Sequence, residues 1–166
     1  MKIDNIMINK ELLDKLFVYC DGKLYYKNHK YKKLIGKKVG TLNSNGYLYA
    51  QINGKRFANH RLIFLMHHNY LPQCIDHING NKLDNSIENL REATYSQNGQ
   101  NAKLRKDNTS GIKNISWNKT VKKWRVQIKI DGKRKHIGLF DNLELAELVA
   151  IEIRNKYCGE FANHGN

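Results

Sequence analysis

The segment Asp76-His77-Ile78-Asn79-Gly80-Asn81-Lys82-Leu83-Asp84-Asn85 sets a carboxylate beside an imidazole and follows them with a run of amides. An Asp supplies a hard oxygen ligand, and the neighbouring His supplies a neutral base. Asn79-Gly80 reads as a tight turn directly after the pair. Asn89 lies twelve residues beyond His77, and Asn98 nine beyond Asn89. A strand, a loop, a second strand and a helix over this span would bring Asp76 and Asn98 around one cation. Oxygen donors without cysteine favour Mg2+, with Mn2+ as the alternative, over zinc or copper. His77 suits proton removal from water, since an ordinary imidazole has a pKa of about 6.5. The metal would offset charge on a phosphate and stabilise a leaving 3′ oxygen. A lone His in an Asn-rich loop is commonly a surface hydrogen-bonding residue; here Asp76, His77, Asn89 and Asn98 point to the same chemistry together.

The elements around that segment must hold it. Asn9 is placed to cap a short helix, Lys10 to Leu16. Phe17–Cys20 and Leu24–Lys27 read as strands about Asp21-Gly22, and Val39–Leu42, Tyr47–Ile52 and Lys55–Phe57 continue in β style past Asn45-Gly46 and Asn53-Gly54. Leu62, Ile63, Leu65 and Met66 have helical spacing and stop before Pro72. Thr94-Tyr95-Ser96-Gln97 is a capping box, so a helix begins near Tyr95 and carries Asn98 in its first turn. His60, His67 and His68 sit on or beside the apolar helix, where packing and surface hydrogen bonding are the default roles. Arg61 reads as structural, and Arg91 as either a scissile-phosphate contact or a plain surface one.

Past a polar linker from about Lys103 to Ser110, Ile112–Trp117, Lys123–Ile130 and Lys133–Phe140 read as three strands. Asp141-Asn142-Leu143-Glu144 then opens a helix to about Tyr157, stopped by Gly159. Ala146, Val149, Ala150, Ile153 and Tyr157 form its expected apolar stripe. In the middle strand Trp124, Val126, Ile128 and Ile130 alternate with Arg125, Gln127 and Lys129, so one face is apolar and the other is Arg-Gln-Lys. Those side chains suit base edges in a major groove. The fold class expected is α+β: an N-terminal mixed domain over 1–104, and over 105–166 a small three-stranded antiparallel sheet on one helix.

Of 166 residues, 29 are Lys or Arg and 15 are Asp or Glu, a net charge of +14. Eleven basic residues and two acids fall between Arg105 and Lys135, against 16 and 8 over residues 1–104. A field of that sign and density attracts nucleic acid. Lys119, Lys122, Lys123 and Lys133 would contact phosphates and add affinity without specificity. Cys20, Cys74 and Cys158 are scattered and odd in number, which fits neither a disulfide framework nor paired-cysteine zinc. No apolar run approaches the roughly 20 residues that span a bilayer, and MKIDNIMINK lacks a signal-peptide core.

His77, Asn89 and Asn98, within DHINGNKLDNSIENLREATYSQNGQN, resemble the HNH motif of bacteriophage homing endonucleases. The stretch from Gly46-Tyr47 through Asn59-His60-Arg61-Leu62 is similar to the region that precedes the motif there. Residues 109–162 resemble an APETALA2-type DNA-binding domain. The first resemblance implies a ββα-metal nuclease domain with His77 as general base, Asp76 and Asn98 as metal ligands, and Asn89 fastening the loop by hydrogen bonds. Asn98 replaces the His of many relatives, and no structural zinc is expected. The second implies DNA contacts from Lys113, Trp117, Gln127, Lys129, Arg134 and His136; the alternation argument adds Arg125. The expected protein is therefore a Mg2+-dependent endonuclease on double-stranded DNA, cytoplasmic (in the host cell if phage-encoded), with monomer and dimer both open. A DNA-binding transcription regulator with a decayed nuclease domain is the alternative; it has no chemical reason to keep Asp76, His77, Asn89 and Asn98 together.

Overall fold

A computed structural model describes residues 2, 3 and 6–165; part of the N-terminal stretch read above for a signal peptide lies outside them. The fold is mixed α and β, with several small antiparallel sheets and, among the described residues, four α-helices. The chain divides into two compact units, 1–92 and 93–166. The sequence reading set its boundary after residue 104, in the polar linker; the backbone divides earlier and places Asn98 in the second unit. No helix among the described residues is long and apolar enough to cross a membrane.

In the first unit, β1 (Lys2–Ile3) pairs with β2 (Ile6–Met7). Helix α1 (Lys10–Leu16) starts where Asn9 Oδ1 accepts from Leu12 N at 2.9 Å. Strands β3 (Phe17–Cys20) and β4 (Lys23–Tyr26) form an antiparallel hairpin. Its turn holds Asp21 at φ 46° and Gly22 at φ 71°. Only glycine fits there on a second ground: a Cβ on Gly22 would stand 2.7 Å from Ser86 N. The turn therefore abuts the loop that follows His77. Tyr19 OH on the same hairpin accepts from Ile87 N at 3.0 Å.

Strands β5 (Thr41–Leu42), β6 (Leu48–Ile52) and β7 (Lys55–Ala58) form an antiparallel meander. Helix α2 (Asn59–His68) follows at once, and its run Leu62 to Met66 is wholly buried against α1 and the meander. It ends at Asn69 in the left-handed conformation, φ 59°. The extended strand β8 (Cys74–His77), buried at all four positions, pairs with β9 (Leu90–Ala93). Leu13, Phe17, Leu24, Ile63, Ile75 and Leu90 belong to the core beneath them. Tyr25, Tyr26, Tyr47 and Tyr49 are only half-buried, and the core is filled chiefly by aliphatic side chains together with Phe17 and Phe64.

In the second unit, the capping box at Thr94 starts α3 (Tyr95–Asn101), with both reciprocal bonds to Gln97 present. Strands β10 (Ile115–Asn118), β11 (Lys123–Ile130) and β12 (Lys133–Phe140) form one antiparallel sheet in that order. Helix α4 (Leu143–Cys158), capped by Asn142, covers Ile115 and Val126 with Ala146 and Ala150. The expected stripe on α4 needs correction. Its buried positions are Ala146, Ala150, Arg154 and Cys158, while Ile153 and Tyr157 are half-buried. Arg154 is inside because its guanidinium donates to Lys113 O at 2.7 Å, to Asn114 Oδ1 at 3.4 Å and to His164 Nδ1 at 3.2 Å. A hydropathy pattern discards an arginine that hydrogen bonding brings in.

Candidate active site

Strand β8 carries Asp76 and His77 to its C-terminal end, where both are buried at 3% and 5% exposure. A chain leaving a buried strand must satisfy its polar groups, and residues 78–89 do this with their own amides. Gly80 N donates to His77 O at 2.8 Å, closing the turn. Asn89 Oδ1 accepts from Asn79 N at 2.9 Å, and its Nδ2 donates to Asn79 Oδ1 at 3.0 Å and to Asp84 O at 2.8 Å. Its own carbonyl takes Ile78 N at 2.9 Å. Asp84 accepts from Asn79 Nδ2 and Ser86 Oγ, each at 2.7 Å, and the Ser86 bond foremost holds its carboxyl below the usual range.

His77 Nε2 lies 2.9 Å from Asn85 Oδ1, and Asn85 is 2% exposed. A carbonyl oxygen only accepts, so Nε2 carries the hydrogen and Nδ1 is the basic atom of the neutral ring. Burial lowers the His77 pKa, against the opposing pull of Asn85 and Asp76. The ring is thus uncharged at neutral pH, as a base must be. Two further rings pack on it: His60 at 5.2 Å and Tyr47 at 5.9 Å between centroids, with Tyr47 and His60 5.1 Å apart. Burial first, then repulsion from His77 and Arg61, takes His60 down to about 3.

Asp76 Oδ2 accepts from Arg91 Nε and pairs with Arg91 Nη2, each at 2.9 Å. Two bonds from one guanidinium fix the orientation of this buried carboxylate. Arg91 is therefore an ion-pair partner of Asp76, which neither sequence reading of Arg91 anticipated. Arg61 donates to the carbonyls of Pro72 and Gln73 at 3.2 and 3.4 Å and ties down the entry to β8. Asn98, in the second unit, lies in the first turn of α3 with its N–H on Thr94 O at 3.0 Å. Among the described residues no three His, Cys, Asp or Glu side chains gather as a metal site.

The segment that bears these residues is similar to known proteins. The model of the HNH endonuclease family matches residues 57–100, from β7 through most of α3. Protein 3.8 of Escherichia phage T7 is 40% identical over 88 residues, 53% of this chain and 72% of that relative. The chain belongs to the family of phage protein 3.8 and carries an HNH endonuclease domain. No solved structure matches it. Within the HNH segment, sequence reasoning missed Asn85, and it assigned His60 only packing or surface bonding. No sequence signal singles out Asn85 from the neighbouring amides Asn79, Asn81 and Asn89; its bond to His77 is made across eight residues.

The HNH protein's second expected interface lies in residues 93–166. Residues opposite one another on neighbouring strands share a face, so register sorts the side chains. Gln127 faces His136, Lys129 faces Arg134, and Arg125 faces Ser116 and Leu139. Arg125, Gln127, Lys129, Arg134 and His136 thus stand together on the side away from buried Val126 and Ile128. A bulge between Val126 and Gln127 passes over Ile137. Without that one-residue shift, His136 and Arg134 would point to the helix side. Arg125 also donates to Ser116 Oγ at 3.2 Å.

Two other expected DNA contacts sit elsewhere. Trp117 is opposite Trp124 on the helix side of the sheet, the rings 4.8 Å apart and edge to face. It is half-exposed but does not share the Arg-Gln-Lys face, because alternation in β10 sends Ser116 there instead. Lys113 precedes β10, and its ammonium donates to the carbonyls of Gln100 and Ala102. Burial first, with Arg154 adding repulsion, lowers its pKa to about 8.

Proposed function

We propose that this HNH protein is a metal-dependent endonuclease that hydrolyses phosphodiester bonds of double-stranded DNA. The observation that carries the reading is His77: a buried, neutral imidazole at a strand end, oriented by Asn85 at 2.9 Å. In this reading Nδ1 takes the proton from the attacking water while Nε2–H stays on Asn85, so the ring cannot turn as charge develops. Asn89 fastens the loop that bears Asn85. Arg91 holds Asp76 in place.

Asp76 and Asn98 are the residues to hold a divalent cation in a ββα-metal arrangement. The donor chemistry fits Mg2+: a buried, guanidinium-held carboxylate and an amide oxygen are hard ligands, and Mg2+ typically takes only one or two carboxylates beside phosphate and water. Bound there, the cation would neutralise phosphate charge and stabilise the leaving oxygen. Residues 109–162 act as an APETALA2-like sheet, with Gln127, Lys129, Arg125, Arg134 and His136 toward the groove and Trp117 and Lys113 supporting it. The charge of the Arg105–Lys135 stretch supports that reading.

Supercoiled plasmid and DNA of the source genome, incubated with Mg2+ or with EDTA, test the proposal. Relaxed or linear product is expected only with metal. His77→Ala should reduce cleavage by about 10²–10⁴-fold, the usual worth of a positioned base. DNA affinity should stay within a few-fold of the native protein. Equal loss of cleavage and binding would make His77 structural, and binding without cleavage across several divalent metals would favour a regulator.

A further inference from the structure

Residues 22–75 contain ten Lys and Arg and no Asp or Glu. Six of these cations fall between Lys27 and Lys38, in the connection from β4 to β5. Lys27 Nζ donates to Asp14 O at 3.1 Å. Among the described residues Lys30, Lys32, Lys33, Lys37 and Lys38 form no ion pair. Unneutralised like charges repel one another and favour a polyanion.

The connection is nonetheless well built. Tyr26 N donates to Lys37 O at 3.0 Å, Gly36 N to Tyr26 O at 2.7 Å, and Val39 N to Leu24 O at 2.7 Å. A ladder of rings climbs out of the core along it. Phe17 and Tyr26 are 5.7 Å apart, Tyr26 and His29 4.8 Å, and His29 and Tyr31 5.5 Å. Tyr31 N donates to His29 Nδ1 at 3.0 Å, which fixes the His29 ring against the Tyr31 backbone. The last rung, Tyr31, is 55% exposed, with Lys30 Nζ 5.0 Å from its centroid. Beside the ladder lies a cavity of about 610 Å3, lined by Tyr26, His29 and Tyr31 and by the amides Asn28, Gln51 and Asn53.

Aromatic faces, amide edges, Lys30 at the cavity and further lysines in the same connection together match one ligand, an unpaired nucleotide: rings stack on its base, amides meet the base edge, and ammonium groups meet the phosphates. We propose that the β4–β5 connection is a binding site for single-stranded DNA, with one unpaired base against Tyr31 and His29 and the flanking phosphates on Lys30, Lys32 and Lys33. The site rests on the endonuclease reading only in taking DNA as the polymer. It gives the protein a hold on a displaced or nicked strand, distinct from the duplex grip of the β10–β12 sheet.

The test uses the full-length protein in EDTA, so that binding is measured without cleavage. Its probes are a short fluorescent oligothymidylate and a duplex of the same length. Tyr31→Ala should weaken oligothymidylate binding by roughly tenfold, the scale of one lost base stack, while Tyr31→Phe stays near the native affinity. Neither variant should change duplex affinity. Replacing Lys30, Lys32 and Lys33 by Gln should lower the salt slope for the single strand by about 2, since each phosphate contact contributes about 0.7. Native affinity of Tyr31→Ala for oligothymidylate, or an equal loss on both probes, overturns the site. A protein that holds oligothymidylate through Tyr31 but cuts no DNA would sink the endonuclease and leave this site standing.

Discussion

The loop after β8 and the outer face of the β10–β12 sheet both present polar residues, by opposite means. In the loop, Asn79, Asp84, Asn85 and Asn89 spend their hydrogen bonds on one another, on the backbone and on His77. On the sheet, Lys129, Arg134 and His136 are exposed, while neighbouring Arg125 donates to Ser116 and Gln127. Buried amides lock a geometry, because any unmade bond there carries a desolvation cost. Exposed cations leave their bonds to a partner, and their arrangement is set by strand register alone. Changes in the loop should therefore alter stability and chemistry together, while changes on the sheet should alter binding and nothing else.

The largest expected effect comes from acid. His60 is protonated in the unfolded chain near pH 6.5 but in the folded one only near 3. Its contribution is fully present above pH 6.5, and it is lost as pH falls through that window by up to about 1.4 kcal/mol per unit. Urea unfolding of the native protein and of His60→Phe between pH 7 and pH 4 should show a shallower decline in the variant. His77 and the carboxylates supply what slope remains. Parallel declines would mean that His60 is solvated and that the stack on His77 is not closed.

Next in size is Asn85→Leu, which removes the acceptor of His77 Nε2. An orphaned buried donor should cost about 1–3 kcal/mol of stability, and with the ring unfixed cleavage should fall at least roughly tenfold. Full activity at reduced stability would mean that Asn85 only packs.

How far the sequence revealed these regions follows from the same contrast. Helices α1 and α3 were legible because their caps are local: Asn9 and Thr94 bond within three residues. The outer face of β11 was legible because alternation has a fixed period. Asn85 on His77 and Arg91 on Asp76 were not, since those bonds span 8 and 15 residues and no propensity encodes them. The burial of Arg154 was illegible for a related reason, its partners at Lys113 and Asn114 lying 41 and 40 residues away. The face that Trp117 occupies was not legible either: a resemblance transfers a position, but the register against Trp124 decides its side of the sheet.

The smallest effects belong to the sheet, and they test the contrast most sharply. Gln127 and Lys129 stand opposite His136 and Arg134 only because the β11–β12 bulge skips Ile137. If this face reads base edges, Gln127→Ala or Lys129→Ala should change discrimination at one position of the target by about 1–3 kcal/mol while leaving the other positions untouched. Unfolding midpoints should not move, since no buried bond is lost. Selection from a randomised duplex pool, with the native protein and each variant, gives the discrimination directly. A uniform loss across all sequences would make both residues phosphate contacts, and a shifted unfolding midpoint would place them in the structural class of the β8 loop.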